Sequence, residues 1–194
     1  MLIALTILAV AVALILVGFK ATRAGYESAP YVVVRSSGSF EVRDYPSLNV
    51  VETPTSGVES DSDGSFNRLF GFITGGNAAQ QKIAMTTPVL MSRGDSHATM
   101  AFVLPARFKA GLAVTPTNDA VKMRELEAGR FAVLRYSGGR TATKEMETLG
   151  RLTDWMAAAG LRVLSSPVYG YFDPPWTPPF LRRNEVMLRT EARR

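Results

Sequence analysis

The chain has 194 residues and no cysteine, and its 22 basic and 17 acidic side chains give a formal net charge of +5. Without cysteine it can form no disulfide, no thiolate nucleophile and no cysteine metal site. The excess of positive charge is spread along the chain, with no basic helix face and no aromatic-rich basic strand. Composition therefore argues against a nucleic-acid-binding protein, and leaves an anionic ligand or lipid headgroups as partners that the charge would favour.

The first segment, residues 1–19, carries no charged side chain. A helix of that length spans roughly 28 Å at about 1.5 Å per residue, and the hydrocarbon core of a bilayer is roughly 30 Å thick. No basic residue precedes the apolar run, although a signal peptide usually begins with one. The segment is therefore predicted to be a transmembrane anchor or an uncleaved signal. A cleaved signal peptide, with Thr22 and Ala24 at its cleavage site, is the alternative.

Residues 20–30 are predicted to be a linker, and residues 31–194 fit a single domain. Two arguments about its side of the membrane oppose each other. Lys20 and Arg23 follow the apolar run, and the positive-inside rule would then place the domain in the cytoplasm. An N-terminal apolar segment on a small domain is, however, the usual export device. We expect a single-pass cell-membrane protein whose domain is periplasmic or extracytoplasmic, with the cytoplasmic side as the alternative.

The first half of the domain combines strand patterns with one helix. Strands are predicted over residues 31–35, 40–45, 48–53, 83–91 and 99–104. Between the third and fourth strands, four apolar residues follow the i, i+3, i+4, i+7 spacing of a helical stripe. These are Phe66, Leu69, Phe70 and Ile73.

The second half repeats this order. Strands are predicted over residues 120–126, 130–137, 168–173 and 185–190. The helix begins at Thr141 as N-cap and ends at Gly160 as a left-handed cap. Its predicted buried stripe is Met146, Leu149, Leu152, Met156 and Ala159. Two strand–strand–helix–strand–strand units predict an α+β domain with a pseudo-twofold repeat, in which a curved antiparallel sheet or distorted β-barrel carries two helices. A groove between the halves would be a natural ligand site.

Sequence motifs for catalysis and metal binding are incomplete. A phosphate loop needs its glycines before a helix, but Gly75 and Gly76 follow the predicted first helix and Lys82 precedes a strand. Residues 59–64 resemble the start of a calcium loop but lack its final glutamate. His97 is the sole histidine and lies in a predicted hairpin, without the fixed partners of a catalytic triad or zinc site. No catalytic residue and no metal ligand are predicted.

Four motifs in order resemble the SOUL haem-binding protein family. They are the Gly-Gly-Asn turn at 75–77 followed by Met-Thr-Thr-Pro-Val at 85–89, and the segments at 40–45, 100–105 and 171–186. The resemblance covers residues 31–191. It implies two βαββ-like repeats and non-covalent binding of haem or related tetrapyrroles in an apolar surface groove, without a general histidine ligand. The same architecture resembles the multidrug-binding domains of bacterial regulators, so the fold implies less about the ligand than the family does.

Apolar and basic residues near the motif are the predicted binding site. The groove wall is predicted to be Phe66, Phe70, Ile73, Met85 and Met91, and core packing is the alternative for the methionines. The rim, which would pair with haem propionates, is predicted to be Arg68, Lys82, Arg182 and Arg183. For the last two, a clamp on the proline-rich loop is the alternative. Glu185 begins a strand and, if buried, requires a cationic partner such as Arg43 or Arg183.

The function expected from these features is a membrane-anchored tetrapyrrole-binding protein for haem carriage, buffering or sensing, and not an enzyme. Its partners would be the tetrapyrrole and the membrane, with no nucleic acid. One alternative is a promiscuous receptor for planar or cationic compounds, with Glu185 as the counter-charge. Another is a small-molecule hydrolase or tetrapyrrole dechelatase, for which Glu185 would be the groove carboxylate with a raised pKa.

Overall fold

A computed structural model describes residues 25–56, 63–93, 98–108 and 114–191. Within these ranges the strands, in chain order, are β1 (Glu27–Ser28), β2 (Val32–Ser37), β3 (Phe40–Tyr45), β4 (Leu48–Thr55), β5 (Thr86–Thr87), β6 (Val89–Arg93), β7 (Ala98–Val103), β8 (Lys122–Leu126), β9 (Gly129–Tyr136), β10 (Val168–Tyr171) and β11 (Asn184–Thr190). The helices are α1 (Ser65–Ile73) and α2 (Ala142–Ala158), with a short 3-10 helix at Pro179–Leu181.

Nine of these strands form one curved antiparallel sheet in the order β2-β3-β9-β11-β10-β6-β7-β4-β8. The remaining two, β1 and β5, pair in parallel as a separate ribbon. The predicted α+β class, with a large curved antiparallel sheet and two helices, is confirmed. Two pairings join strands that are distant in sequence: β3 pairs with β9 on the side away from β2, and β8 pairs with β4.

Both faces of the sheet are covered by apolar side chains. Val50 and Val51 are adjacent on β4 and point to opposite faces, yet neither exposes any surface. The face that carries the helices packs against Leu69 and Phe72 of α1 and against Leu152 of α2. The opposite, non-helical face has a smaller apolar cluster, which consists of Ala29, Val50, Leu90, Ala101, Val103, Val133 and Met187.

The start of helix α1 is stabilised by hydrogen bonds to the side chain of Asp63. The Asp63 carboxylate accepts hydrogen bonds from the Ser65 N–H at 2.8 Å and from the Thr55 hydroxyl at 2.7 Å. Its buried apolar side chains are Leu69, Phe72 and Ile73. Of the predicted stripe, Leu69 and Ile73 are buried, whereas Phe70 is 46% exposed. A nine-residue helix on one face of a sheet leaves its other side in solvent.

Helix α2 has the predicted ends but not the predicted stripe. The Thr141 hydroxyl accepts the Lys144 N–H at 3.2 Å, and Gly160 has a left-handed φ of 67°. Leu152 and Met156 are buried as predicted. Met146, however, is 67% exposed, while its neighbour Glu145 is 3% exposed. The buried face of α2 is therefore one residue away from the apolar pattern at its N-terminal end.

The glycine-rich turn after α1 is structural. A Cβ on Gly76 would lie 2.7 Å from the Gly71 carbonyl oxygen, so only glycine fits there. The buried Asn77 amide donates to the Phe72 and Gln81 carbonyls at 2.9 and 2.7 Å. Its Oδ1 accepts the Gln81 N–H at 3.0 Å. The turn thus satisfies backbone groups at the end of α1, which accounts for the motif without any bound phosphate.

The predicted strand over residues 83–91 is two strands. β5 pairs with β1, whereas β6 begins after Pro88 and joins the large sheet between β10 and β7. Met85 and Met91 therefore do not share one unbroken pleated face. Pro88 lies where the ladder is interrupted, as expected for a residue with no N–H to donate.

The predicted anchor, residues 1–19, lies outside the described residues. Among the residues that the structure describes, no helix is both long enough and apolar enough to cross a membrane.

Candidate functional site

The outer side of α1 carries a pair of stacked aromatic rings. Phe66 and Phe70, here called the α1 aromatic pair, have ring centroids 5.9 Å apart and nearly parallel planes. Phe66 also packs edge-on against the buried Phe102 of β7 at 5.3 Å. Phe66 thus lies between the core and the exposed Phe70 ring. A flat apolar ligand that covered Phe70 would extend this stack into solvent.

The other predicted wall residues differ in exposure. Met85 is half-buried and packs against the core on the helix side of the sheet. Ile73 and Met91 are both buried in that core. A ligand on the surface could reach Met85 but not Ile73 or Met91. These last two are corrected from groove wall to core, because helix α1 and the sheet close over them.

Arg68, predicted at the rim, is a clamp within the protein. Its Nε donates to the Thr53 hydroxyl at 3.0 Å. Its two Nη atoms donate to the Asp63 carbonyl at 2.8 Å and the Pro54 carbonyl at 2.7 Å. The guanidinium therefore ties the start of α1 to the end of β4 and is not available to a propionate.

Arg182, also predicted at the rim, clamps the proline-rich loop, as the alternative had it. Its Nε donates to the Thr177 carbonyl at 2.7 Å, and its Nη2 donates to the Pro175 carbonyl. Both acceptors are backbone oxygens of the loop that Arg182 itself closes. Its role in this structure is to hold the loop.

Lys82 is the predicted rim residue with an exposed position. It follows the turn after α1 and lines a small surface pocket of about 130 Å³. The pocket is lined by Gln81, Lys82, Ile83, Ala84, Pro105, Arg107 and Phe108. Ligand pockets for whole drug-sized molecules hold roughly 300–1,000 Å³. This pocket suits a carboxylate-sized group, with Lys82 and Arg107 as its cationic lining, and is too small for a macrocycle.

Glu185 is buried beside Arg43 on the non-helical side of the sheet. Arg43 Nη1 lies 2.7 Å from Glu185 Oε2, and Arg43 Nη2 lies 3.1 Å from Oε1. Arg43 also donates to Glu41 Oε2 at 2.6 Å and to the Tyr45 hydroxyl at 3.0 Å. Burial lowers the pKa of the Arg43 guanidinium, but the hydrogen bonds and charge of Glu185 raise it by more, and the net shift is upward. Burial also raises the pKa of Tyr45, to about 12.

A second arginine completes this network. Arg183 Nε and Nη2 donate to Glu185 Oε1 at 2.9 and 2.7 Å. The Arg183 guanidinium lies 3.9 Å from the centroid of the Phe172 ring, and Arg43 lies 4.2 Å from that of Tyr31. Both predicted partners of Glu185 are therefore bound to it, and aromatic rings cover the two cations.

This network bears on any role of Glu185 toward a ligand. Each of its carboxylate oxygens already accepts hydrogen bonds from guanidinium groups. A cationic compound could approach Glu185 only by displacing Arg43 or Arg183. Removing one partner of a buried ion pair costs about 3–5 kcal/mol. As a counter-charge, Glu185 is occupied by the protein's own side chains.

A second buried carboxylate, Glu145, was not predicted. It lies beneath the first turn of α2, where Oε1 accepts the Tyr171 hydroxyl and Oε2 lies 2.8 Å from Arg93 Nη2. The Tyr169 hydroxyl donates to the Glu145 carbonyl at 3.3 Å. Burial, and then the charge of Glu145, raises the pKa of Tyr169 to about 12. The strand pattern at 168–173 places both tyrosines on one face, and this parity is the signal that could have indicated a polar partner on α2.

Metal ligands do not cluster among the described residues, where no group of three or more histidine, cysteine or acidic side chains could hold an ion. His97 lies outside the described part of the chain. The prediction that it is not an axial ligand therefore stays a prediction.

Comparison with protein families gives one match over most of the chain. The family model described as SOUL heme-binding protein matches residues 26–189. None of the curated proteins compared with this chain matches it. The matched range includes the turn after α1, the α1 aromatic pair and the Glu185 network.

Solved structures share the fold at low sequence identity. The C-terminal domain of EcmrR has a TM-score of 0.56 and 11% identity, over 78% of this chain and 96% of that one. An uncharacterised conserved protein from Listeria innocua has a TM-score of 0.57 and 13% identity, over 79% and 92%. A protein described as a hydrolase from Listeria innocua has a TM-score of 0.55 and 12% identity, over 81% and 94%. At these identities the likeness shows the fold alone.

Proposed function

We propose that this chain, which belongs to the SOUL haem-binding protein family, binds haem or a related tetrapyrrole non-covalently on the exposed side of α1. The observation that carries the proposal is the α1 aromatic pair, in which Phe70 lies exposed on a ring that is itself seated on the core. A rigid aromatic surface of this kind suits a flat apolar macrocycle. Met85, half-buried and adaptable in shape, would extend the apolar contact.

Haem carries propionates, and the structure offers them cations near the turn after α1. Lys82 and Arg107 line the small pocket, whose size fits a carboxylate. Arg68, Arg182 and Arg183 hold parts of the protein itself and have no role toward the ligand in this proposal. The tetrapyrrole would therefore lie flat on the aromatic pair, with its charged edge toward Lys82.

Carriage, buffering or sensing fits this arrangement better than catalysis. A hydrolase or dechelatase would need a carboxylate free to act on a bound ligand. Glu185, the carboxylate predicted for that role, accepts hydrogen bonds from two arginines on the non-helical side of the sheet. A receptor for cationic compounds would meet the same obstacle, since Arg43 already neutralises Glu185.

Absorption titration with three ligands tests the proposal. We expect haemin and a metal-free porphyrin with the same propionates to bind alike, because planar contact and charge supply the affinity, and we expect a cationic planar dye not to bind. Binding of the dye alone would favour the promiscuous receptor. Loss of iron or cleavage of the ligand during incubation would establish an enzyme.

The proposed contact between Lys82 and a haem propionate is tested by substituting Lys82, with a second exposed lysine as the control. Lys82→Gln should weaken haemin binding by at most about fivefold, since an exposed ion pair contributes up to about 1 kcal/mol. Lys122→Gln, at an exposed lysine on the edge strand β8, should leave haemin binding unchanged. A porphyrin without carboxylates should not distinguish Lys82→Gln from the wild type. Equal effects of both substitutions on haemin would remove Lys82 from the rim.

The domain's internal repeat and its membrane anchor are part of the same proposal. If β3, β4, β6 and β7 correspond to β8, β9, β10 and β11, the sheet order reads the same from either end, apart from β2, which supports a pseudo-twofold repeat.

Residues 1–19 are proposed to anchor the protein in the cell membrane, with the domain outside the cytoplasm. Intact-mass measurement of protein from native membranes should find that segment retained, and a mature form starting near Gly25 would contradict it.

A further inference from the structure

Two aromatic side chains project from the loop between β10 and β11. Trp176 is 77% exposed and Phe180 is 75% exposed. Both values exceed those of every other large hydrophobic side chain that the structure describes. The α1 aromatic pair and the Glu185 network do not use either ring.

The loop holds these rings in place. Thr177 N–H donates to the Pro174 carbonyl at 3.0 Å, and Arg182 binds two loop carbonyls from within. The Gly138 N–H donates to the Pro179 carbonyl at 2.9 Å, which fastens the loop to the segment before α2. Four prolines between residues 174 and 179 restrict the backbone further. The exposed aromatics are therefore carried by a fixed loop that does not fold them back onto the core.

The loop is close to the point where the chain enters the domain. Arg183, at the end of the loop, donates from Nη2 to the Tyr31 hydroxyl at 3.4 Å. Strand β1, next to Gly25, pairs with β5, and Pro88, which follows β5, lies against Gly170 of β10 just before the loop. The uncharged run of residues 1–19 ends shortly before Gly25. The entry of the chain and the aromatic loop therefore lie in one region of the domain.

We propose that Trp176 and Phe180 insert into the interfacial layer of the phospholipid bilayer that holds the N-terminal segment. The inference rests on the membrane anchor proposed above. Tryptophan favours the headgroup region, where its apolar body and its N–H both find suitable surroundings. The chain's net charge of +5 favours anionic lipids. With the anchor as one contact and the loop as a second, the domain takes a fixed orientation on the membrane.

Tryptophan fluorescence of the full chain tests the loop directly, because Trp155 and Trp176 are the only tryptophans. The Trp155→Phe variant leaves Trp176 as the sole reporter. In vesicles of phosphatidylcholine and phosphatidylglycerol, brominated lipid with bromines high on the acyl chain should remove most of its emission. The remaining emission should shift to shorter wavelength. The matched Trp176→Phe variant reports Trp155, which stacks on Phe40 at 5.0 Å, and its emission should be unaffected.

A second probe does not depend on the tryptophans. Since the chain has no cysteine, Phe180→Cys introduces a single site for an environment-sensitive fluorophore. Met146→Cys, at an exposed position on α2, is its matched control. Vesicles should brighten and blue-shift the label at position 180 and leave the label at position 146 unchanged.

Flotation of the same vesicles separates the possible failures. If the protein floats with the vesicles but both loop probes remain in water, the loop contact is overturned and the anchor stands. If the protein does not float, the anchor and the loop contact are both overturned. A shift at both labelled positions would also overturn the proposal, because the domain would then adsorb without using the loop. Haemin titration in detergent reports the tetrapyrrole function independently of all three results.

Discussion

The two helices lie on the same face of the sheet but differ in how they use their fourth residues. The fourth residue of α1 is Arg68, and its guanidinium is bound by backbone and hydroxyl oxygens near its own helix start. The fourth residue of α2 is Glu145, and its carboxylate reaches Tyr171 of β10 and Arg93 of β6. The charge of α1 at this position is therefore bound near the start of the helix, whereas the charge of α2 belongs to a polar network between the helix and the sheet.

The outer surfaces of the helices differ as well. α1 exposes Phe70 on a ring seated on the core, whereas α2 exposes Met146 with no aromatic partner among its described contacts. A flat ligand would therefore find the exposed ring of Phe70 on α1, whereas the half-buried Trp155 of α2 is stacked on Phe40 and has Arg35 over its ring. The difference teaches that two helices on one face of a sheet do not by themselves imply two ligand sites, because the exposed side chains decide what each helix can bind.

The largest expected effect tests whether the helices contribute equally to the core. Leu69 of α1 and Leu152 of α2 are both fully buried. Leu69→Ala and Leu152→Ala should each lower the free energy of unfolding by about 2–5 kcal/mol, through lost transfer energy and the cavity that remains. Urea unfolding followed by circular dichroism measures both. A loss below about 1 kcal/mol for either variant would show that its helix is not part of the cooperative core.

The polar contacts at the fourth position should separate the helices more clearly. Glu145→Gln should cost about 1–3 kcal/mol, because a buried group loses its charged partner Arg93. Arg68→Met should cost about 0.5–1.5 kcal/mol, because the carbonyls that it releases lie near the surface and can bind water. A larger loss for Arg68→Met than for Glu145→Gln in the same urea experiment would contradict the contrast between a buried network and a peripheral clamp.

The exposed residues sharpen the comparison through binding rather than stability. Met146→Ala should change the free energy of unfolding by no more than about 0.5 kcal/mol, as expected for a surface position. Phe70→Ala should lower it by about 1 kcal/mol, because the stacking of Phe70 on Phe66 is lost. Phe70→Ala should nevertheless weaken haemin binding about tenfold, since an aromatic contact contributes roughly 0.5–1.5 kcal/mol beyond its area. Met146→Ala should bind haemin normally. A stability loss of several kcal/mol with unchanged haemin affinity would remove Phe70 from the site.

The smallest effect concerns the helix starts and their response to acid. Asp63 holds the start of α1 and Thr141 caps α2, so Asp63→Asn and Thr141→Ala should each cost about 1 kcal/mol at neutral pH. Burial raises the pKa of Asp63, but hydrogen bonds from Ser65, Thr55 and Ser56 lower it by more, and the net shift is downward.

The pKa of Asp63 is thus lower in the folded than in the unfolded protein, where an aspartate titrates at about 3.9. Its stabilisation is present above that pH and is lost as the pH falls through the folded value. The cost of Asp63→Asn should therefore shrink in acid, while the cost of Thr141→Ala should not follow this titration. Urea unfolding between neutral pH and strong acid provides the measurement. A cost of Asp63→Asn that did not change with pH would contradict the assignment.

Much of the fold follows from local patterns in the sequence. The predicted strand at 40–45 is β3, and the one at 130–137 is β9 within one residue at each end, because alternation along a strand is a local property. The ends of α2 were predicted because Thr141 and Gly160 act through their own backbone neighbours. Pairing of Glu185 with arginine also followed, since a buried carboxylate needs a cation.

The remaining features depend on residues far apart in sequence. The apolar pattern of α2 predicts that Glu145 is exposed and Met146 is buried. The structure has the opposite arrangement, because Glu145 is bound by Tyr171 and Arg93, which lie far away in sequence. Ile73 and Met91 fit an apolar groove wall by composition, but the packing of α1 on the sheet places them in the core. From the sequence alone Arg68 is a plausible ligand-binding cation. Only the structure shows that oxygens of the protein already accept its hydrogen bonds.

The pairing of β3 with β9 and of β8 with β4 has a consequence for synthesis of the protein. β3 is made early, but its partner β9 follows only after α1 and the strands β4 to β8. During translation β3 therefore waits with its inner edge unpaired, and such an edge is prone to associate with other chains. Contacts this distant in sequence also slow folding. Neither the part of the chain that carries β2 to β7 nor the part that carries β8 to β11 contains all the partners of its strands. We therefore expect each part alone to remain unfolded. The domain should form only when nearly the whole chain has left the ribosome.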